Sequence, residues 1–142
     1  MNLNDFISLS EFLLGIPFQP PLPPITDLDP DLAQFYLNLL GPYVPPTSLA
    51  SLASTWENIQ TQPASQWPGL VEQQIFGNAD LKPWAQQIIL VWYTGSVWLP
   101  TISGGNTPRD PERYERTLVW VLAQAHPMAV PLSFGYWQYA PS

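Results

Sequence analysis

Proline most constrains what this chain can become. Eighteen of its 142 residues are proline, and a proline beyond the first turn of a helix removes a backbone hydrogen bond and clashes with the preceding turn. Regular structure must therefore fit into short segments, and several prolines fall where a helix would begin. "DPDLAQFYLNLLG" places Asp29 at an N-cap, Pro30 at the first helical position, a stripe of Leu32, Phe35, Tyr36 and Leu39 along one face, and Gly41 at the C-terminal turn. "DPERYERTLVWVLAQAHP" repeats that start with Asp110 and Pro111 and stops at the proline after His126. Its first turns alternate charge and its later part is apolar, so it should begin in water and end buried.

Between these lie other helical segments. "NDFISLSEFLLG" carries Phe6, Leu9, Leu13 and Ile16 at helical spacing, with Asn4 as N-cap and Gly15 as the stop. A third helix from Thr47 places Leu49, Leu52, Trp56 and Ile59 on one face before "TQPASQWPG" interrupts it, and a short fourth runs from Pro68 to Phe76. "DLKPWAQQIILVWYTG" is the most apolar segment; Asp80 is its expected cap and Pro83 falls in its first turn. Apolar residues on most of its sides predict a central helix covered by neighbours. "WLPTISGGNTP" has the composition of a loop. No segment alternates with period two, so the fold class is all-α, a single irregular bundle of about five or six helices over residues 1–142.

Two stretches fall outside this pattern. Residues 15–29, "GIPFQPPLPPITDLD", form a proline-rich connector too apolar for an ordinary solvated linker. It reads as a strap packed across the helices or as a ligand for an SH3-type domain, although nothing basic flanks it. Residues 127–142 form an extended tail, "PMAVPLSFGYWQYAPS", with aromatic residues and no charge.

Composition narrows the chemistry. The chain has no cysteine, which excludes disulfides, thiolate metal sites, iron–sulfur ligation and a thiol nucleophile. Residues 1–81 hold eight acids and no Lys or Arg, whereas 82–142 hold four bases against three acids, so the net charge of −7 arises in the first part. Nucleic-acid binding needs clustered Lys and Arg and is not expected. The longest apolar run, "IILVWY", is far below the length of a membrane span, so no transmembrane segment is expected. The opening residues carry no basic n-region, cleavage pattern or twin arginine, so they contain no export signal. His126, the one histidine, stands before Pro127 at a helix end, where capping the last carbonyls competes with a general-base role. "SGGN" at Ser103–Asn106 lacks the Gly-Lys-Ser/Thr of a phosphate loop and reads as a plain turn. The acids form no pair spaced for acid–base work, so no catalytic, cofactor-binding or metal-binding residue is expected.

Aromatic residues are in excess, with seven Trp and six Tyr. Trp98, Tyr114, Tyr136, Trp137 and Tyr139 lie outside any amphipathic stripe. Such residues either cover a core beneath proline-rich loops or form an interface. Trp92 and Tyr93 project about 100° apart from one helix, so one should enter the core and the other should meet a partner or the tail.

"FISLSEFLLG", "TDLDPDLAQFYLNLL", "IILVWYTGSV" and "LVWVLAQAHP" followed by "FGYWQYAP" run in an order and spacing that resemble the small subunit of membrane-bound FAD-dependent sugar and polyol dehydrogenases, the sorbitol, fructose and glucose dehydrogenase type. The likeness covers nearly the whole chain, and its most specific pieces are Trp92-Tyr93-x-Gly95 and Gly135-Tyr136-Trp137 with Pro141. The resemblance implies a non-catalytic subunit, without its own cofactor, that binds a large flavoprotein of the glucose–methanol–choline type and assists its maturation and export. FAD would belong to that partner, and a haem c subunit would join through the complex. It also implies a periplasmic or membrane-associated location. The chain departs from the family in having no twin-arginine leader and no cysteine near its tail. The expected partner interface comprises Trp92, Tyr93, Phe134, Gly135, Tyr136, Trp137 and Tyr139. The alternative is a stand-alone helical module that binds an apolar ligand or peptide in a Trp-rich cleft.

Overall fold

The computed structural model describes residues 1–15, 30–108, 110–114 and 117. The described chain is all-α: α1 Leu3–Leu14, α2 Pro30–Leu40, α3 Pro46–Gln60, a 3-10 turn Ala64–Gln66, α4 Trp67–Val71 continuing into a π-helix Glu72–Phe76, α5 Lys82–Thr94, and α6 Pro111–Tyr114. Its only β feature is an isolated antiparallel bridge between Trp98 and Asn106.

Each helix boundary has a local cause. The α1 cap is Asn2 rather than Asn4: its side-chain Oδ1 accepts the Asp5 N–H at 2.9 Å, and Asp5 places a negative charge in the first turn where the helix dipole favours it. Either asparagine suits the capping role by type; Asn2 takes it because helical geometry already begins at Leu3. Gly15 ends the helix in the left-handed region, at φ 65°. Helices α2 and α3 both open on proline, Pro30 and Pro46, at a position whose N–H would have no intrahelical acceptor. Helix α5 has Pro83 in its first turn and stops at Gly95, at φ 71°, whose N–H donates to the Val91 carbonyl at 2.8 Å.

Asp80 does not cap α5, contrary to the sequence expectation. No side chain caps that helix, and the Asp80 N–H instead donates to Oδ1 of Asn78 at 2.9 Å. Backbone N–H groups of Leu81 and Lys82 both reach the Asn78 carbonyl, so an Asn78 turn leads into α5. The expected caps Asp29 and His126, the strap over 16–29 and the tail over 127–142 lie outside the described residues.

Helix α1 lies against α2, α3 and α5, whereas α5 lies against α1, α2 and the π-helix. Two aromatic nodes hold them together. Trp92 of α5 stacks on Phe6 of α1, at 6.3 Å between ring centroids and 19° between planes. The same indole meets Tyr36 of α2 edge to face, at 4.9 Å and 77°. The second node joins Phe12 of α1, Trp56 of α3 and Trp67 of α4, with centroids 5.3 to 6.1 Å apart. Trp56 donates its indole N–H to Ser8 Oγ at 2.8 Å, so the largest ring of α3 is buried with its polar atom satisfied. Leu9, Leu32, Leu52, Ile59, Ile75 and Ile88 belong to the same buried core.

Candidate functional site

Helix α5 is not covered on all sides among the described residues. Ala85, Gln87, Ile88, Val91 and Trp92 are buried, whereas Gln86 is exposed and Ile89, Leu90 and Tyr93 are only partly buried. Spacings of three and four residues place Gln86, Ile89, Leu90 and Tyr93 along one face of the helix. The excess of apolar residues that sequence periodicity read as complete burial is thus shared between the core and the surface. Trp92 and Tyr93 divide as their angular offset requires: Trp92 is fully enclosed, and Tyr93 lies at the edge.

The loop after α5 is tied back to that helix. Trp98 is 37% exposed, yet its backbone is held firmly. The buried Gln87 side chain donates from Nε2 to the Trp98 carbonyl at 2.7 Å and accepts the Trp98 N–H on Oε1 at 2.8 Å. The Trp98 indole N–H donates to Thr94 Oγ1 at 2.8 Å. Beyond it, the Leu99 N–H reaches the Gly105 carbonyl and the Thr107 N–H reaches the Val97 carbonyl, closing the loop over Gly104 and Gly105, both at φ 82°. "SGGN" is the turn it was expected to be. Helix α6 is anchored nearby: Asp110 accepts the Arg113 N–H at 3.1 Å and pairs with its guanidinium at 2.8 Å, and that guanidinium lies 4.2 Å from the centre of the Phe35 ring.

A second feature lies at the other aromatic node. A groove of about 500 Å³ is lined by Phe12, Trp56 and Trp67 with Ser8, Glu11 and Gln60 at its edges. Both indole N–H groups there are engaged within the chain, Trp56 with Ser8 and Trp67 with the Gln62 carbonyl. The groove therefore offers the ring surface of Phe12 and Trp67 over a buried Trp56, rather than indole donors.

Of the expected interface residues, the described structure contains Trp92 and Tyr93; Trp92 is enclosed by Phe6 and Tyr36 and presents no surface to a partner, contrary to that expectation, and Phe134, Gly135, Tyr136, Trp137 and Tyr139 lie outside the described residues. The expectation of a helix covered by neighbours does not hold at Ile89 and Leu90, and the role of Gln87 is new with the structure. The adjacent Gln86 and Gln87 in this apolar segment were the available signal, since a buried amide must find partners for both ends, but the sequence does not distinguish the buried one from the exposed one. Among the described residues, no three acidic or imidazole side chains come together to hold a metal ion, and no helix is long and apolar enough to cross a membrane. Comparison with family models, curated proteins and solved structures finds no match to the chain.

Proposed function

We propose that this chain is a non-catalytic subunit that binds and stabilises a larger FAD-dependent sugar or polyol dehydrogenase of the glucose–methanol–choline type. The observation that carries the reading is the open face of α5, where Ile89, Leu90 and Tyr93 remain partly exposed on a helix whose other side is locked into the core by Trp92. A helix with apolar residues on its outer side, with the exposed Trp98 in the loop that follows it, has the composition of an interface centre rather than of a solvated surface. The sequence resemblance supplies the kind of partner. In this reading the flavin and substrate chemistry reside in the large subunit, this chain helps it mature and reach its compartment, and a haem c subunit joins through the complex. Coexpression with its neighbouring genes tests the reading: a flavoprotein should copurify with the tagged chain, and Leu90→Asp and Tyr93→Asp should each release it.

The aromatic groove at Phe12, Trp56 and Trp67 favours a second reading, a stand-alone module for an apolar ligand or peptide. That module would be a well-behaved monomer when expressed alone, with no flavoprotein attached.

A further inference from the structure

The groove beside Trp67 lies where two helices end. Its lining takes Glu11, Phe12 and Gly15 from the end of α1, Gln60 from the last turn of α3 and Trp67 from the start of α4. Phe12 meets Trp67 edge to face, at 6.1 Å between centroids and 65° between planes, so the two half-buried rings form a corner over Trp56. Neither α1 nor α3 has a basic residue in its last turn. The carbonyl end of α1 therefore brings partial negative charge to the groove with no cation of its own helix to offset it.

The polar groups at the rim are biased towards accepting. Ser8 is fully engaged: its hydroxyl donates to the Asp5 carbonyl and accepts from the Trp56 indole and from Gln60 Nε2, which uses its one proton and both lone pairs. The Trp67 N–H is held by the Gln62 carbonyl. Gln60 turns its nitrogen to Ser8, so Oε1 is its acceptor end. The Glu11 carboxylate accepts on two oxygens and donates on neither. Aromatic faces likewise attract positive charge. Helices α1, α3 and α4 carry Asp5, Glu11 and Glu57 and no Lys or Arg, and residues 1–81 contain none.

These features select among ligands. An anion would meet a carboxylate and a helix carbonyl end with no counterion. A purely apolar side chain would use the rings but would strip water from the carboxylate without replacing its hydrogen bonds. A guanidinium satisfies both parts, because it is a flat cation with five donors and no acceptor that stacks on a ring while its edge bonds oxygen. An ammonium supplies the charge without the plane. A second copy of this chain, at net charge −7, would bring like charge to the contact, so the occupant belongs to another protein.

We infer that this groove docks an arginine-bearing segment of a partner protein, with the guanidinium stacked on Trp67 and bonded to the Glu11 carboxylate and Gln60 Oε1. The inference deepens the second reading of the groove by naming the chemistry of its ligand. The groove shares no residue with the open face of α5, so it acts whether or not a flavoprotein binds there.

The test titrates the full chain with the blocked peptide Ac-PPRPP-amide and with counterparts that carry lysine, leucine or glutamate in place of the arginine, followed by calorimetry and tryptophan fluorescence. Saturable binding of the arginine peptide is expected with Kd on the order of 0.1 mM, about threefold or more tighter than the lysine peptide, with no saturation by the leucine or glutamate peptides. Raising NaCl from about 0.05 M to about 0.5 M should weaken it. Trp67→Ala and Glu11→Lys should each weaken it by about tenfold or more. Circular dichroism checks that helix content is kept, and Glu11→Gln, with a loss of about threefold, replaces Glu11→Lys if that variant unfolds. The inference is overturned by no saturable binding of the arginine peptide up to about 5 mM, by a lysine peptide that binds as tightly, or by binding that a folded Glu11 variant leaves unchanged. A leucine peptide that binds as tightly as the arginine peptide also overturns it, and that result leaves the apolar-ligand reading of the groove standing.

Discussion

The Gln87 side chain holds both backbone polar groups of Trp98, its N–H at 2.8 Å and its carbonyl at 2.7 Å, and so binds the loop after α5 to the middle of that helix. The amide acts as one rung of a sheet in a region without one. Removing it leaves two backbone groups in a partly buried site without their partner, a loss of roughly 2 kcal/mol. Gln87→Ala should lower the urea midpoint accordingly. Gln87→Glu should also destabilise, because a carboxylate oxygen would replace the donor that faces the Trp98 carbonyl. Unchanged stability in both variants would show that the loop holds its position by other means.

Trp92 and Tyr93 are neighbours in sequence with opposite expected phenotypes. Trp92 is fully enclosed between Phe6 and Tyr36, so Trp92→Ala should cost about 3–5 kcal/mol. Tyr93 is partly exposed, and Tyr93→Ala should cost under about 1.5 kcal/mol while weakening partner capture. Denaturant unfolding paired with copurification separates the two effects. A severe folding defect in the Tyr93 variant would place that ring in the core.

Gly15 and Gly95 both occupy the left-handed region, at φ 65° and 71°, but only Gly95 is crowded. A Cβ at Gly95 would lie 3.2 Å from Thr117 Cγ2, whereas one at Gly15 would meet nothing within 4 Å. Gly15→Ala should therefore cost only the conformational term, about 1–2 kcal/mol, and Gly95→Ala should cost more. Equal losses on thermal unfolding would mean that Thr117 does not press on the end of α5. The double variant Gly95→Ala, Thr117→Ser should recover the difference.

Asp110 accepts the Arg113 N–H and pairs with its guanidinium. The ion pair is partly exposed and contributes little, so the cap should dominate. Asp110→Asn should be nearly neutral, and Asp110→Ala should cost on the order of 1 kcal/mol. Loss of activity of the assembled complex in a normally folded Asn variant would assign Asp110 a role beyond capping.

Residues whose effect is local were the most readable in the sequence. Pro30 and Pro111 open helices, and Gly15 closes one, because φ and the missing donor or Cβ are properties of the residue itself. The buried stripe of α3 was also legible, with Leu52, Trp56 and Ile59 at helical spacing. Choices between equivalent residues were not. Asn2 and Asn4 are chemically identical caps, and Asp80 has the right side chain for a cap but stands in a turn made by Asn78. Apolar content alone could not divide α5 between core and surface, since Ile88 and Ile89 differ only in which neighbour reaches them. The π-helix has no comparable sequence signature, and the aromatic groove comes from elements far apart in the chain.

The subunit claim is tested most directly by coexpressing the tagged chain with its neighbouring genes, purifying on the tag and recording the visible spectrum. The account predicts copurification with a flavin absorption band near one FAD per chain, and loss of that band in the Leu90→Asp variant while its circular dichroism stays helical. A colourless, monodisperse chain that emerges alone would contradict it.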